Sequence, residues 1–154
     1  MTEHSSGPLS RLFEKKPSAG IVRTIVRVVL GVMILGAGIG HLTVAREEFQ
    51  AQVPPWLPLD VDFVVLASGV VEILLGLALV FLGRYRVVVG LVAALFFIAV
   101  FPGNIAQWLE GRDGFGLDTD AARFARLFFQ PVLVLVVLWA TGAWRDRPWR
   151  RERR

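Results

Sequence analysis

The residue whose type and position most strongly indicate chemistry is Glu72, which lies midway through a long apolar stretch. A carboxylate at the centre of a bilayer costs ~2.5 kcal/mol or more, so such groups normally face protein or a wet cavity. Ser68 and Gly76 lie four residues to either side of it, on the same face of a helix. We predict Glu72 as a catalytic proton acceptor and Ser68 as a binding residue. The alternative is a structural carboxyl group that fixes how the helices pack.

His41 is the second candidate for proton chemistry. It follows Gly36 and Gly40, whose GxxxG spacing predicts close packing against another helix. The imidazole is either a packed side chain or a site group, and polar residues at similar depth in other stretches favour the site. We therefore predict His41, like Glu72, as a catalytic residue. The chain has no cysteine and only two histidines, far apart, which excludes disulfides and iron–sulfur clusters and predicts no metal site.

Two amide side chains lie close to prolines in the later apolar stretches. Asn104 follows Pro102 by two residues, and Gln130 directly precedes Pro131. A proline inside a helix leaves the carbonyl four residues earlier without its N–H partner. At membrane depth such a carbonyl persists only where protein, water or a ligand satisfies it. Arg126 lies one turn before Gln130 on the same face. We predict Asn104, Arg126 and Gln130 as binding residues.

The elements that must position these residues are four apolar stretches in a chain of 154 residues that is 55% apolar and 19% charged. A spanning helix needs ~20 apolar residues to cross ~30 Å of hydrocarbon. The third stretch reaches that length only if its helix continues through Pro102. The sequence predicts an all-α polytopic membrane protein, an antiparallel bundle of four transmembrane helices. The predicted parts are an N-terminal tail at 1–20, a membrane domain at 21–144 with spans at 21–44, 61–82, 87–109 and 121–143, and a basic C-terminal tail at 145–154.

The basic residues predict the orientation of the bundle. Thirteen of the 17 Lys and Arg residues fall in the N-terminal tail and the start of the first span, in the C-terminal tail, and in the turn at 83–86. Under the positive-inside rule, this places both termini in the cytoplasm. The same distribution explains the net charge of +4 without nucleic acid, which we do not expect as a partner. The short turn predicts that the second and third spans are antiparallel neighbours. We expect Arg123 to snorkel to the membrane surface.

Five short motifs carry a resemblance to a known family across residues 32–139. They are Gly38-Ile-Gly-His41, Val53-Pro-Pro-Trp-Leu-Pro58, Ser68-Gly-Val-Val-Glu72 with Gly76, Val100-Phe-Pro-Gly-Asn104 and Arg126-Leu-Phe-Phe-Gln130. In this order the chain resembles the DoxX-like family of small four-helix membrane proteins. It departs from that pattern at Leu42 and Gly103, where relatives often have Phe and Ala. The resemblance implies a bundle in a bacterial cytoplasmic membrane. The polar residues that it marks are His41, Glu72, Asn104, Arg126 and Gln130. Some relatives are subunits of a thiosulfate:quinone oxidoreductase, and others work beside redox or detoxification partners.

Three functions are compatible with these residues. The first is a membrane subunit associated with quinone-linked redox or detoxification chemistry, with a polar extracytoplasmic-side pocket floored by Glu72. Its cofactor would be a quinone, and any enzymatic activity would belong to it as a subunit of a quinone-dependent oxidoreductase. The second is a non-catalytic scaffold or assembly subunit, and the third is a small proton-linked transporter. The expected partners are the lipid bilayer and either a protein partner or further copies of the chain.

Overall fold

A computed structural model describes residue 13 and residues 18–145 of the chain. The predicted tails at 1–20 and 145–154 lie almost wholly outside these described residues. The described part contains five α-helices and one 3₁₀ turn, Gly83–Tyr85, between the third and fourth helices. The helices are α1 (Ile21–Leu42), α2 (Arg46–Gln50), α3 (Val61–Phe81), α4 (Arg86–Leu109) and α5 (Asp120–Thr141). Helices α1, α3, α4 and α5 are each long and apolar enough to cross a membrane, which confirms the all-α class and the four spans.

Local sequence signals explain where two of the long helices begin. Asp60 precedes α3, and its side chain accepts a hydrogen bond from the backbone N–H of Phe63 at 2.8 Å. Thr119 precedes α5, and its hydroxyl accepts one from the backbone N–H of Ala122 at 3.2 Å. Such caps satisfy N–H groups that have no partner inside the helix. Helix α4 continues through Pro102, as its predicted length required.

The four long helices form two tightly packed pairs, α1 with α3 and α4 with α5, and the two pairs touch each other much less. Helices α3 and α4 are consecutive and joined by a tight turn, but each packs mainly against its partner in its own pair. The second and third spans are therefore in contact, as the tight turn predicted, but neither is the main packing partner of the other. We call the end with this turn, the start of α1 and the end of α5 the arginine end. The opposite end, with residues 43–60 and 110–119, is the loop end.

The apolar core lies in the half of the bundle towards the arginine end. It includes Leu30 of α1, Leu79 of α3, Ala93 of α4 and Val137 of α5. Three of these four side chains are 0% exposed, and Leu30 is 5% exposed. In the half towards the loop end, the two helix pairs enclose a cavity instead.

Two glycine pairs bring α1 and α3 into backbone contact. A Cβ atom built on Gly38 would lie 2.7 Å from the carbonyl oxygen of Gly69. A Cβ on Gly76 would lie 2.7 Å from the carbonyl oxygen of Gly31. Real Cβ atoms are not found this close to a backbone oxygen, so each position requires glycine. The pairs lie two helical turns apart, and they form one stripe along the antiparallel helices.

The GxxxG pair in α1 does not mediate this packing. A Cβ on Gly36 would meet no atom within 4 Å, and one on Gly40 would make only ordinary contacts with Ala45 and Phe49 at 3.5 and 3.6 Å. The prediction of close packing through Gly36 and Gly40 was therefore wrong. The reason is rotational, because the face that carries Gly38 is turned towards α3.

Arg123 is buried and paired with two carboxylates, so it does more than snorkel. Its side chain is 8% exposed and forms ion pairs with Asp113 at 2.7 Å and Asp120 at 2.8 Å. It also donates a hydrogen bond to the carbonyl oxygen of Leu117 at 2.9 Å. Arg123 thus fixes the 110–119 segment to the start of α5, where that segment covers the loop end.

We expect Gly38→Ala to lower the thermal stability of the bundle, because the new methyl group would push α1 away from α3. Overpacking of this kind costs ~1–3 kcal/mol. The matched control is Gly36→Ala on the same helix, which meets open space and should melt at the wild-type temperature or above it. Thermal denaturation of both variants in the same detergent tests this. Equal melting temperatures would contradict the glycine stripe.

Candidate functional site

A cavity of about 430 Å³ lies between the two helix pairs in the half towards the loop end. Residues from all four long helices and both connecting segments line it, and most of them are apolar. Its volume is within the range of ~300–1,000 Å³ that is usual for small-molecule sites. All six predicted site residues line this one cavity: His41, Ser68, Glu72, Asn104, Arg126 and Gln130.

On the α1–α3 side of the cavity, His41 and Glu72 face each other. Nε2 of His41 lies 3.3 Å from Oε2 of Glu72, with the two side chains 8% and 14% exposed. Both atoms are buried and neither makes a hydrogen bond to the described residues, so the two groups approach each other without a formed hydrogen bond. A Cβ atom on Gly69 would lie 2.5 Å from the Cβ of His41, so glycine at 69 is what allows the imidazole to reach Glu72.

The protonation of this pair follows from the other ring nitrogen. Nδ1 of His41 lies 3.0 Å from the carbonyl oxygen of Val65, which can only accept a hydrogen bond. Nδ1 therefore carries a proton and donates it. The Ser68 hydroxyl is 3.1 Å from Nδ1 and donates to the same carbonyl at 2.9 Å.

Because an isolated charge is costly at membrane depth, we assign one further proton to Nε2 of His41 or to the carboxyl group of Glu72. The pair is neutral overall whether it is an imidazolium with a carboxylate or an imidazole with a carboxylic acid. A neutral pair avoids the cost of an isolated charge in the membrane. It also provides one proton that can move between two groups on the cavity wall.

Two aromatic rings shield this pair from the loop end. The ring of Phe49 stacks on the imidazole of His41, with centroids 3.3 Å apart, and Phe115 packs edgewise on Phe49 at 4.6 Å. Phe49 lies on α2, which is held to α3 by an ion pair and hydrogen bonds between Arg46 and Asp62. The hydrogen bond that Arg46 donates to the Asp62 carboxylate raises the pKa of Arg46, so the anchor stays charged. The sequence analysis missed both rings, because neither lies in a periodic apolar segment.

On the α4–α5 side, the other three predicted residues form a hydrogen-bonded chain. Nε2 of Gln130 donates to the carbonyl oxygen of Phe97 at 2.8 Å. Nδ2 of Asn104 donates to Oε1 of Gln130 at 3.2 Å, and Nε of Arg126 donates to Oδ1 of Asn104 at 3.3 Å. Phe97 is one residue before the position whose carbonyl loses its partner at Pro102. This series of hydrogen bonds thus ends on the turn of α4 that precedes Pro102.

Gln52, which the sequence analysis also missed, supplies a free hydrogen-bond donor to the cavity. Its Nε2 is buried and has no hydrogen-bond partner among the described residues, and the residue lines the cavity. Its backbone carbonyl packs directly on Gly103, where no side chain fits. Arg112 donates to the carbonyl of the neighbouring Val53 at 2.8 Å. The only feature of the sequence that could have indicated Gln52 was its position next to the proline-rich motif at 53–58.

The cavity reaches the outer surface of the bundle. Met33 of α1 and Phe129 of α5 line it and are 57% and 54% exposed. Trp56 of the 51–58 segment also lines it and is 66% exposed. The site therefore combines a buried imidazole and carboxyl group 3.3 Å apart, hydrogen-bond donors on Gln52 and Arg126, and an apolar opening on the outer surface of the bundle.

One family model matches the chain, over residues 30–142, and it is described as a domain of unknown function (DUF8561). Every residue that lines the cavity, from Leu30 to Leu133, lies within the matched segment. No curated protein and no solved structure matches the chain.

We expect Gln130→Leu to destabilise the bundle, because it leaves the buried Nδ2 of Asn104 without its acceptor and removes the hydrogen bond to the Phe97 carbonyl. Each buried unsatisfied group costs ~1–3 kcal/mol. Gln52→Leu is the matched control, since the Nε2 it removes makes no hydrogen bond within the described residues, and it should not lower stability. Denaturant unfolding of both variants in one detergent measures the difference. A stability loss in Gln52→Leu as large as that in Gln130→Leu would contradict these assignments.

Proposed function

We propose that this chain, which belongs to the DUF8561 family, is a membrane subunit that binds a quinone in the cavity and exchanges protons through His41 and Glu72. The observation that carries this proposal is the approach of His41 and Glu72 to 3.3 Å on one wall of an apolar cavity that offers hydrogen-bond donors elsewhere. A structural pair would need neither a cavity beside it nor an unpaired donor in the same cavity.

The residues present fit a quinone head group. Its two carbonyl oxygens need hydrogen-bond donors, and Nε2 of Gln52 is a buried donor with no described partner. Arg126 uses Nε for Asn104 and has further N–H groups, which makes it a second donor. The apolar lining accommodates the ring, and the exposed Met33 and Phe129 give an isoprenoid tail a path to the hydrocarbon.

When bound, a quinone supplies two-electron, two-proton chemistry. The chain contributes binding and proton handling. Glu72 and His41 hold a proton at the cavity wall, and Val65 and Ser68 fix the imidazole so that Nε2 points at the carboxyl group. Phe49 keeps water away from the far face of the imidazole. The chain has no cysteine to hold an iron–sulfur cluster, so we assign electron delivery to a protein partner.

The resemblance to the DoxX-like family stays a prediction, and it is one source of the quinone assignment. We also propose the bacterial cytoplasmic membrane as the location, with both termini in the cytoplasm. The support is the concentration of Lys and Arg in the terminal segments and the turn at 83–86. In this orientation the cavity lies in the extracytoplasmic half of the bundle, with Glu72 at its deeper end.

A scaffold function is the second candidate, and one observation favours it. The polar residues contact each other between the two helices of a pair. His41 and Glu72 connect α1 to α3, and Asn104 and Gln130 connect α4 to α5. Such networks also stabilise helix packing in membranes without any ligand. The two functions differ in whether the cavity is occupied during activity, which the experiments below measure.

We expect a short-chain quinone to bind the purified chain and to quench its tryptophan fluorescence, because Trp56 lines the cavity. Gln52→Leu and Arg126→Gln should each weaken binding about tenfold, the loss typical of one good hydrogen bond to a polar ligand. Arg145→Gln, at the arginine end, is the control and should bind like wild type. No quenching, or equal quenching by all variants, would reject a quinone in this cavity.

We expect Glu72→Gln to abolish quinone-dependent turnover of the complex purified with its partner, since an amide cannot exchange the proton. Asp118→Asn removes an exposed carboxylate outside the cavity and should leave turnover unchanged. The measurement is turnover per assembled complex, together with mass spectrometry of the quinones and proteins that co-purify. Normal turnover combined with a lower melting temperature for Glu72→Gln would instead support the scaffold.

A further inference from the structure

A second cavity, of about 440 Å³, lies at the arginine end, far from the site described above. The start of α1, the end of α3 and the Gly83–Tyr85 turn enclose it. Arg27, Arg84 and Arg86 line it, and no carboxylate is among the described residues that do so. Arg27 and Arg84 therefore bring cationic groups to this space, and Arg86 borders it.

Arg27 is the central group of this second cavity. It lies in the second turn of α1 and is 7% exposed. Its Nη1 donates to the carbonyl oxygen of Val80 at 3.3 Å, and its other N–H groups make no hydrogen bond to described residues. Gly83 leaves room for it, because a Cβ there would lie 3.1 Å from Nη2 of Arg27. The free edge of this guanidinium is thus available to a ligand.

A buried arginine in a membrane protein requires an anion or several acceptors, because burying an unpaired charge is costly. Arg27 has one carbonyl acceptor and no described carboxylate. Arg86 is also buried, lines the same cavity and donates to the carbonyl oxygen of Thr141. Arg84 is exposed at the rim. The charge and the available N–H groups favour a ligand with several anionic oxygens, and guanidinium groups bind phosphate in just this way.

We propose that this second cavity binds the phosphate of an anionic phospholipid. The lining itself favours a lipid as the source of the phosphate. Phe81 and Leu82 border the cavity and are 75% and 46% exposed, so apolar surface for acyl chains lies next to the arginines. The site is also at the end of helices that cross a bilayer, where lipid headgroups lie. This proposal is independent of the quinone site.

The test is native mass spectrometry of delipidated protein with added phosphatidylglycerol or phosphatidylcholine. We expect wild type to retain phosphatidylglycerol in preference, and Arg27→Gln to reduce that retention about tenfold. The matched control is Arg23→Gln, one turn earlier on α1, whose guanidinium lies 5.3 Å from the centroid of the Trp139 ring. It removes the same charge from the same end and should retain the lipid to within about twofold. Arg84→Gln, at an exposed position, should also reduce retention and does not depend on refolding of a buried site.

Three results would overturn the proposal. Equal losses in Arg23→Gln and Arg27→Gln would mean that only the general positive charge of this end matters. Unchanged retention in Arg27→Gln and Arg84→Gln would show that the lipid binds elsewhere. Inorganic phosphate that displaces phosphatidylglycerol completely, with the same dependence on Arg27, would replace the lipid by a free anion as the occupant.

Discussion

The pairing of Glu72 with His41 is the interaction on which the site depends. A carboxyl group in the span must be neutral or paired, and a neutral group that keeps an exchangeable proton needs a base within reach. The imidazole can be that base only where α1 and α3 touch through their backbones, which requires Gly69 beside His41. The glycines that bring α1 and α3 together therefore also allow His41 to reach Glu72. Val65 then selects the tautomer by accepting from Nδ1.

The cost of polar groups in hydrocarbon made part of this structure predictable from sequence. Apolar length fixed the four spans, and the same cost singled out polar residues that all line one cavity. Rotation of the helices was not predictable, because Gly36 and Gly38 are equally plausible packing residues until the partner helix is known. Phe49 and Gln52 were missed for a different reason. They lie in a connecting segment, where no periodicity distinguishes a residue that faces a cavity from one that faces water.

Each helix pair carries one half of the site. The proton-sharing groups belong to α1 and α3, and the amide chain of Asn104 and Gln130 belongs to α4 and α5. Among the described residues, these two groups of polar side chains make no hydrogen bond to each other, and Arg112 joins the connecting segments by donating to the Val53 carbonyl. Gln52, on the segment that follows α2, comes between them by packing on Gly103 of α4. A ligand in the cavity would complete polar contacts that the protein alone leaves open.

The uneven distribution of packing along the bundle has a mechanical consequence. Leu79, Ala93 and Val137 leave no space between the pairs near the arginine end, whereas the cavity separates the pairs near the loop end. The two helix pairs are therefore in close contact at the apolar core and separated by the cavity nearer the loop end. A small tilt of one pair against the other would increase the distance between the pairs more around the cavity than at the apolar core. Exchange of a bulky molecule with the surrounding membrane would then require no helix to unfold.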